Sequence, residues 1–366
     1  MIKVAALTTG RNDPSARFRV RQYILPLKSA GIEVQEYIPV IDKHAGLPSV
    51  IGDRTPSFML PTVQTAWRWG KLVARVPGLI GSSSADYVWL NRELLPGRYS
   101  FERFLRKPFV LDIDDAVWRG RPDGTKTMKR LGQDADAIFA GNQHIADWFA
   151  PYSRNIHIVP TAIDTDRFRP ADQPSNSQRP FTIGWTGTSG NFGYLYDIED
   201  SLREFMKLFD ARLLIIAESP PSFSRLDPSK VDFKRWSPEI EASALQTMDV
   251  GLMPLPDTEW TRGKCSFKML QYLSTGLPVI VSPVGMNAEV LDQGRIGFGA
   301  TSCSDWFEAL AWLHRNRRDA QAMGEVGRRL ILERYSTTVV SCLIANAFKK
   351  LANKSTDQKQ TLVQGS

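Results

Sequence analysis

The chain has 366 residues, three cysteines and a formal net charge of +7, with 42% hydrophobic and 23% charged residues. That length suits two domains of ordinary size, and the composition allows substantial cores, which excludes a disordered chain. No apolar run approaches the roughly 20 residues needed to span a bilayer. Cys265, Cys303 and Cys342 lie too far apart for a metal or redox motif, and their odd number points to a reducing compartment. Met1-Ile2-Lys3-Val4 enters a strand directly, so no signal peptide is expected and the protein reads as cytoplasmic.

Apolar runs with strand character follow one another at Lys3–Leu7, Val34–Val40, Tyr87–Asn91, Phe109–Asp114, Ala137–Ala140 and Ile156–Pro160. Helical patterns such as Phe18–Ala30 and Gln143–Tyr152 separate several of them. Short continuous apolar strands alternating with helices predict a parallel sheet covered on both faces. A polar stretch at 171–180 reads as a linker. The pattern then restarts, with strands at Phe181–Trp185, Arg212–Ala217, Asp232–Trp236, Val250–Pro254, Pro278–Val281 and Gly297–Ala300. Helices are expected at Tyr194–Phe209, Pro238–Met248, Cys265–Ser274, Asp305–Asn316 and Ala320–Tyr335. The fold class is therefore α/β, with two doubly wound domains at 1–170 and 181–335 facing each other across a cleft at the carboxyl ends of their sheets. A helix within 336–352 is expected to cross back to the first domain, and 353–366 form a polar tail.

Chemistry concentrates at a few places. In Thr261–Gly285 a turn containing Arg262, Gly263 and Lys264 leads into a helix through Ser266 and Phe267. Free N–H groups and the positive dipole end make such a start an anion site, and two cations reinforce it; a loop with solvated charges is the plainer alternative. Gly187 and Thr188 end the first strand of the second domain, where a glycine-rich turn lets a ligand approach the backbone. In the first domain Arg17 and Arg19 follow the first strand, and Asp112, Asp114 and Asp115 end the fourth. Carboxylates there are costly unless they sit at an exposed strand end. Asp114 and Asp115 either serve a reaction, with a general-base role open to carboxylates that raise one another's pKa, or pair structurally with Arg92. Asp112-Ile113-Asp114 also spells a DXD triplet able to hold a divalent metal. Trp67–Arg75 interleaves aromatics with cations, as an interfacial helix on anionic lipid does, and Arg98–Lys107 adds basic charge. A surface helix with one buried face has the same pattern. No nucleic-acid-binding motif accompanies the charge.

The order of elements, together with Leu270–Gly285, Ala135–Asn142, Val159–Asp164, Phe168-Arg169-Pro170 and Met248–Pro254, resembles the GT-B glycosyltransferases of the large retaining family that includes bacterial mannosyl- and glucosyltransferases. The resemblance spans nearly the whole chain. It implies two Rossmann-like domains, with a nucleotide-sugar donor, UDP- or GDP-linked, on the second and an acceptor on the first. It implies metal-independent transfer with retention, to a lipid-linked or polysaccharide acceptor in cell-surface glycan synthesis, by a protein peripheral to the membrane. Lys264 is then the first choice of cation for the leaving diphosphate and Arg262 the second. Arg17, Arg19 and Arg92 are assigned to acceptor or phosphate. The match departs at the paired glutamates of the family, whose positions hold Gly263 and Gln271 here. Gln271 is expected to bond a ribose hydroxyl through its amide, with Asp257 or Glu259 as substitutes for the missing sugar contact. That loss keeps two alternatives open: a nucleotide-sugar epimerase or hydrolase, and a catalytically silent nucleotide-sugar-binding subunit.

Overall fold

The structure, a computed structural model, describes residues 1–172 and 179–364, with side chains as far as Asn353. Most of the expected linker, 173–178, lies outside the described residues. The chain divides into two compact units, Met1–Ala162 with Val340–Ser366, and Ile163–Val339.

The first unit holds six parallel strands: β1 (Ile2–Leu7), β2 (Ile32–Tyr37), β3 (Tyr87–Asn91), β4 (Phe109–Ile113), β5 (Ala137–Ala140) and β6 (Ile156–Ile158), in the order β2-β1-β3-β4-β5-β6. Leu7 pairs with Leu90 and Asn91 with Asp112. That register brings the residues after β1, β3 and β4 to one edge. Both faces of the central strands are apolar because helices cover both. On one face Val4, Ala6, Trp89, Val110 and Phe139 pack with Val340, Ile344 and Phe348 of the helix Thr337–Gln364. The Phe348 ring meets Tyr87, Trp89 and Phe139 edge-on, with centroids 5.5–5.9 Å apart. The backbone of that helix runs on to Gln364, into the segment expected as a polar tail.

The second unit holds β7 (Phe181–Thr186), β8 (Ala211–Ala217), β9 (Val231–Arg235), β10 (Val250–Met253), β11 (Val279–Val281) and β12 (Gly297–Gly299). All are parallel, in the order β12-β11-β10-β7-β8-β9. Ile183, Trp185, Leu213, Ile215, Val250 and Ile280 form the centre of its core. In each sheet the order reverses once, between β1 and β3 and between β7 and β10, and ligands of open α/β sheets bind at the carboxyl end of such a reversal.

The helix expected over Tyr194–Phe209 is two, Phe192–Tyr196 and Glu199–Leu208, and two further expectations need correction. The unit boundary lies after Ala162, eight residues before Pro170. Residues 163–168 are tied to the second unit: Ile163 N–H donates to the Tyr335 carbonyl at 2.8 Å, and Arg328 donates to the Thr165 and Phe168 carbonyls at 3.0 and 2.8 Å. The single helix expected over Phe18–Ala30 is broken into Pro14–Arg19, a tight turn at Arg21–Tyr23, and Ile24–Ser29. Pro26 has no N–H to donate to the preceding turn, so it is accommodated in the first turn of a new helix.

Candidate active site

In the second unit the site is built on the helix Phe267–Ser274. Buried Tyr272 pins this helix to the sheet. Its hydroxyl accepts the Thr186 N–H at 2.9 Å, and its ring lies where a side chain at Gly251 would stand. The helix start is held by a second contact. Ser266, the residue before the helix, is buried in the left-handed region at φ 50° and donates its hydroxyl to Asn287 Oδ1 at 2.7 Å. Beside it Gly285 has φ 53°, and a Cβ there would come within 2.5 Å of the Arg262 carbonyl oxygen. A non-glycine residue in that region stores strain and persists only where its surroundings hold it.

The held loop presents its cations beside indole rings. Lys264 Nζ lies 5.4 Å from the Trp260 ring centre, and Lys268 Nζ lies 5.7 Å from that of Trp185. A Cβ on Gly187 would come within 2.5 Å of Lys268 Cε and 2.6 Å of the Trp185 ring, so a side chain there would displace the lysine and press on the indole. Next to it Thr188 accepts from Asn191 at 2.7 Å, and the following Ser189 donates its N–H and hydroxyl to Glu218. Lys268, in the first helical turn, is the residue that sequence reasoning missed. Cations are disfavoured beside the positive end of a helix unless an anion offsets them, and Lys264 and Lys268 lie on either side of this start in sequence.

Other candidates are otherwise engaged. Arg262 points to Asp257, with exposed bonds of 2.6 and 2.9 Å. Gly263 is buried and Phe267 half-buried. The Ser266 hydroxyl, expected for a ligand, is used by Asn287. Gln271 is buried and donates to Glu241 at 2.9 Å, while Glu241 also takes Arg167 at 3.0 Å. It is therefore part of an internal network, which corrects its expected role on a ribose. The Glu241 carboxylate reaches this network from the helix Pro238–Leu245.

In the first unit the acidic cluster stands at the carboxyl end of β4. Asp112 is wholly buried, accepting Arg19 Nε at 2.8 Å and Trp89 Nε1 at 2.9 Å. Burial pushes its carboxyl up, and Arg19 opposes that shift. Arg19 also donates to the Val159 carbonyl at 2.6 Å and is itself fully buried, so it belongs to the scaffold and not to an acceptor phosphate. The DXD triplet is thereby split, since Asp112 points to the interior pair. Arg17 stays half-exposed with its guanidinium 4.9 Å from the Phe18 ring.

Asp114 and Asp115 lie just past the strand, half-exposed. Arg92 holds both, with Nε to Asp114 at 2.5 Å and Nη2 to Asp115 at 2.7 Å. To do so it adopts φ 61° while its N–H donates to the Asp112 carbonyl at 2.9 Å. Arg92 is thus committed to the carboxylates, which corrects its assignment to acceptor or phosphate. Burial pushes the Asp114 carboxyl up, but the Arg92 charge and hydrogen bond, with Arg19 and Ser15, outweigh it and hold the group below the usual range. Mutual repulsion of the acids, the basis for a general-base role, does not prevail. Around them Lys43, fully buried and pushed down to about 8 by burial, donates to the Glu93 carbonyl at 3.0 Å, and Arg121 holds the Glu93 carboxylate.

Comparison with known proteins places this geometry. Residues 182–316, inside the second unit, match the family model described as Glycosyl transferases group 1. No curated protein matches the chain. Among solved structures, sucrose-phosphate synthase from Thermosynechococcus elongatus is similar at TM-score 0.70 and 14% identity, covering 97% of this chain and 100% of that one. Anabaena HepE, in complex with UDP-glucose, is similar at 0.68 and 12%, covering 96% and 100%. S. aureus MnaA with UDP is similar at 0.59 and 15%, covering 96% and 97%. The chain shares the two-unit GT-B fold of these structures, and residues 182–316 of its second unit resemble the glycosyl transferases group 1 model.

Proposed function

We propose that this protein transfers a sugar, with retention and without a metal, from a UDP- or GDP-linked donor to a lipid-linked or polysaccharide acceptor in cell-surface glycan synthesis. The observation that carries the reading is the pair of lysines, Lys264 and Lys268, at the strained start of Phe267–Ser274 beside Gly187. A diphosphate there would meet helix N–H dipoles and two cations, which stabilise the charge that grows on the leaving group. The UDP and UDP-glucose in the similar structures support a nucleotide-sugar donor. Asp115, with a carboxylate 27% exposed and one oxygen on Arg92, is suited to accept a hydrogen bond from an acceptor hydroxyl. With Asp114 held below the usual range, the pair orients a hydroxyl better than it removes a proton. The engagement of Asp112 by Arg19 supports chemistry that does not use the DXD triplet for a metal. We place the protein at the cytoplasmic face of an anionic membrane, where a lipid-linked acceptor would be delivered; among the described residues no helix is long and apolar enough to cross it.

Replacing Lys264 or Lys268 by Ala should weaken UDP or GDP binding, measured calorimetrically, and slow transfer of labelled sugar by on the order of 10²-fold. Unchanged affinity and rate in both variants would sink the assignment, and activity lost on exhaustive chelation would sink metal independence. A second reading, a silent donor-binding subunit, draws on the burial of Gln271 in the Glu241 network. Nucleotide binding with no transfer and no release of labelled sugar would establish it.

A further inference from the structure

The connection from β2 to β3 carries an unusual surface. Of the seventeen large apolar side chains that stand exposed among the described residues, nine lie between Ile38 and Ile80. Most belong to the helices Ser49–Gly52 and Leu60–Val73 and the turn Ser57–Met59 that joins them. Phe58 is 81% exposed, Val50 65% and Trp69 58%, with Met59, Ile51 and Val73 beside them in sequence. In the fourteen-residue helix only Leu72 is buried. A helix that buries so little of itself leaves its apolar residues to another phase, and patches of this kind mark interaction surfaces.

The base of the segment is firmly held. Arg75, buried, donates to the Thr8 and Thr9 carbonyls at 2.8 and 3.3 Å, and Lys71 donates to the Lys43 carbonyl at 3.0 Å. Trp67 Nε1 reaches the Ala45 carbonyl at 3.4 Å. Arg75 and Lys71 are therefore structural, and the lipid-facing part expected at Trp67–Arg75 moves towards residues 50–69. There Arg54 and Arg68 are exposed, and between Lys43 and Ala85 the sole acid is Asp53. Phe104, 61% exposed, lies under the Arg103 guanidinium and repeats the pairing of apolar group and cation.

We infer that residues 50–69 are an interfacial anchor that inserts Val50, Ile51, Phe58 and Met59 among the headgroups and acyl ends of an anionic bilayer. Arg54 and Arg68 meet lipid phosphate, and Trp69 lies at the boundary. Charge selects this occupant over a second copy of the chain, because Arg54 and Arg68 outnumber the sole acid Asp53 and a two-fold contact would bring surplus positive charge together. The same base contacts tie the anchor to the loops after β1 and β2, so docking sets the carboxyl edge of the first sheet near the headgroups. This inference rests on the membrane-delivered acceptor proposed above.

The test is co-sedimentation of the full chain with vesicles of phosphatidylglycerol and phosphatidylcholine, at low and high salt, for the parent and a Val50→Ser/Phe58→Ser/Met59→Ser variant. All three sites are exposed, so the variant should melt like the parent and be stabilised equally by UDP. The parent should bind at low salt, and the variant should bind about tenfold or more weakly, since three buried apolar side chains are lost. Equal binding by parent and variant would overturn the anchor while leaving a membrane partner standing. A parent that ignores anionic vesicles would overturn both. A parent dimer that the variant dissolves would overturn the anchor in favour of self-association. Stabilisation of both proteins by neither UDP nor GDP, with vesicle binding intact, would remove the donor reading alone.

Discussion

Arg92 bonds both acids that lie just past β4. Its left-handed backbone and two short bonds hold both acids in place, and its charge keeps Asp114 below the usual carboxylate range where burial alone would push it up. A carboxyl whose folded pKa is depressed contributes stability above its unfolded value, near 3.9, and loses it as pH falls through the folded value. In Arg92→Met the two acids face each other without that cation. The variant should be less stable than the parent by on the order of 3 kcal/mol at pH 7. The deficit should shrink as pH drops below the carboxylate range, because a protonated Asp114 no longer needs the cation. Melting curves from pH 7 to 3 check this; a deficit independent of pH would show that Arg92 matters only through packing. The interior pair Arg19–Asp112 illustrates the opposite environment, in which burial pushes the acid up against its partner.

Among the elements, the helix Phe267–Ser274 is positioned by three unlike contacts: Tyr272 to the Thr186 N–H, Ser266 to Asn287, and the close approach of Gly285 to the Arg262 backbone. The last is the least forgiving. Gly285→Ala would need a side chain at φ 53° with its Cβ 2.5 Å from a carbonyl oxygen that belongs to the main chain. A cost of about 1–3 kcal/mol follows from the strained backbone alone, with the clash added. Lower thermal stability together with weaker UDP binding is the expected outcome, and a variant with parental melting temperature would show that the loop relaxes freely. The start of this helix was legible in part. Lys264 and the turn are visible in the sequence, whereas Lys268 was passed over as a helix residue. Its signal was present all the same, as a cation in the first turn where the dipole disfavours one.

At the scale of the whole molecule, the first unit is discontinuous in sequence, since Val340–Ser366 belongs with Met1–Ala162. Phe348 closes the sheet face formed by Tyr87, Trp89 and Phe139. Phe348→Ala should therefore destabilise the first unit by about 3–5 kcal/mol, as large-to-small changes at fully buried aromatics do. Hydrogen exchange would localise the effect: protection should fall in β3 and β5, while β7 and β8 keep theirs. Equal loss in both units would mean that the chain unfolds as one block.

The sequence by itself determined the strands and the fold class. Each of the twelve expected runs became a strand; the central ones are buried on both faces, as strands of a parallel sheet covered by helices are. It also marked the carboxyl edges where β4 ends in acids and β7 in Gly187-Thr188. Only the tertiary structure decided which charges are internal. Arg19, Arg75 and Gln271 look in sequence like any polar residue near a site, yet each is spent on a partner distant along the chain: Asp112, Thr8 and Glu241. The low local dielectric that makes a buried charge costly without its partner is set by packing, and packing between segments so far apart leaves no trace in local spacing. The Gln271–Glu241 contact is of the same kind, since only folding brings Pro238–Leu245 beside Phe267–Ser274.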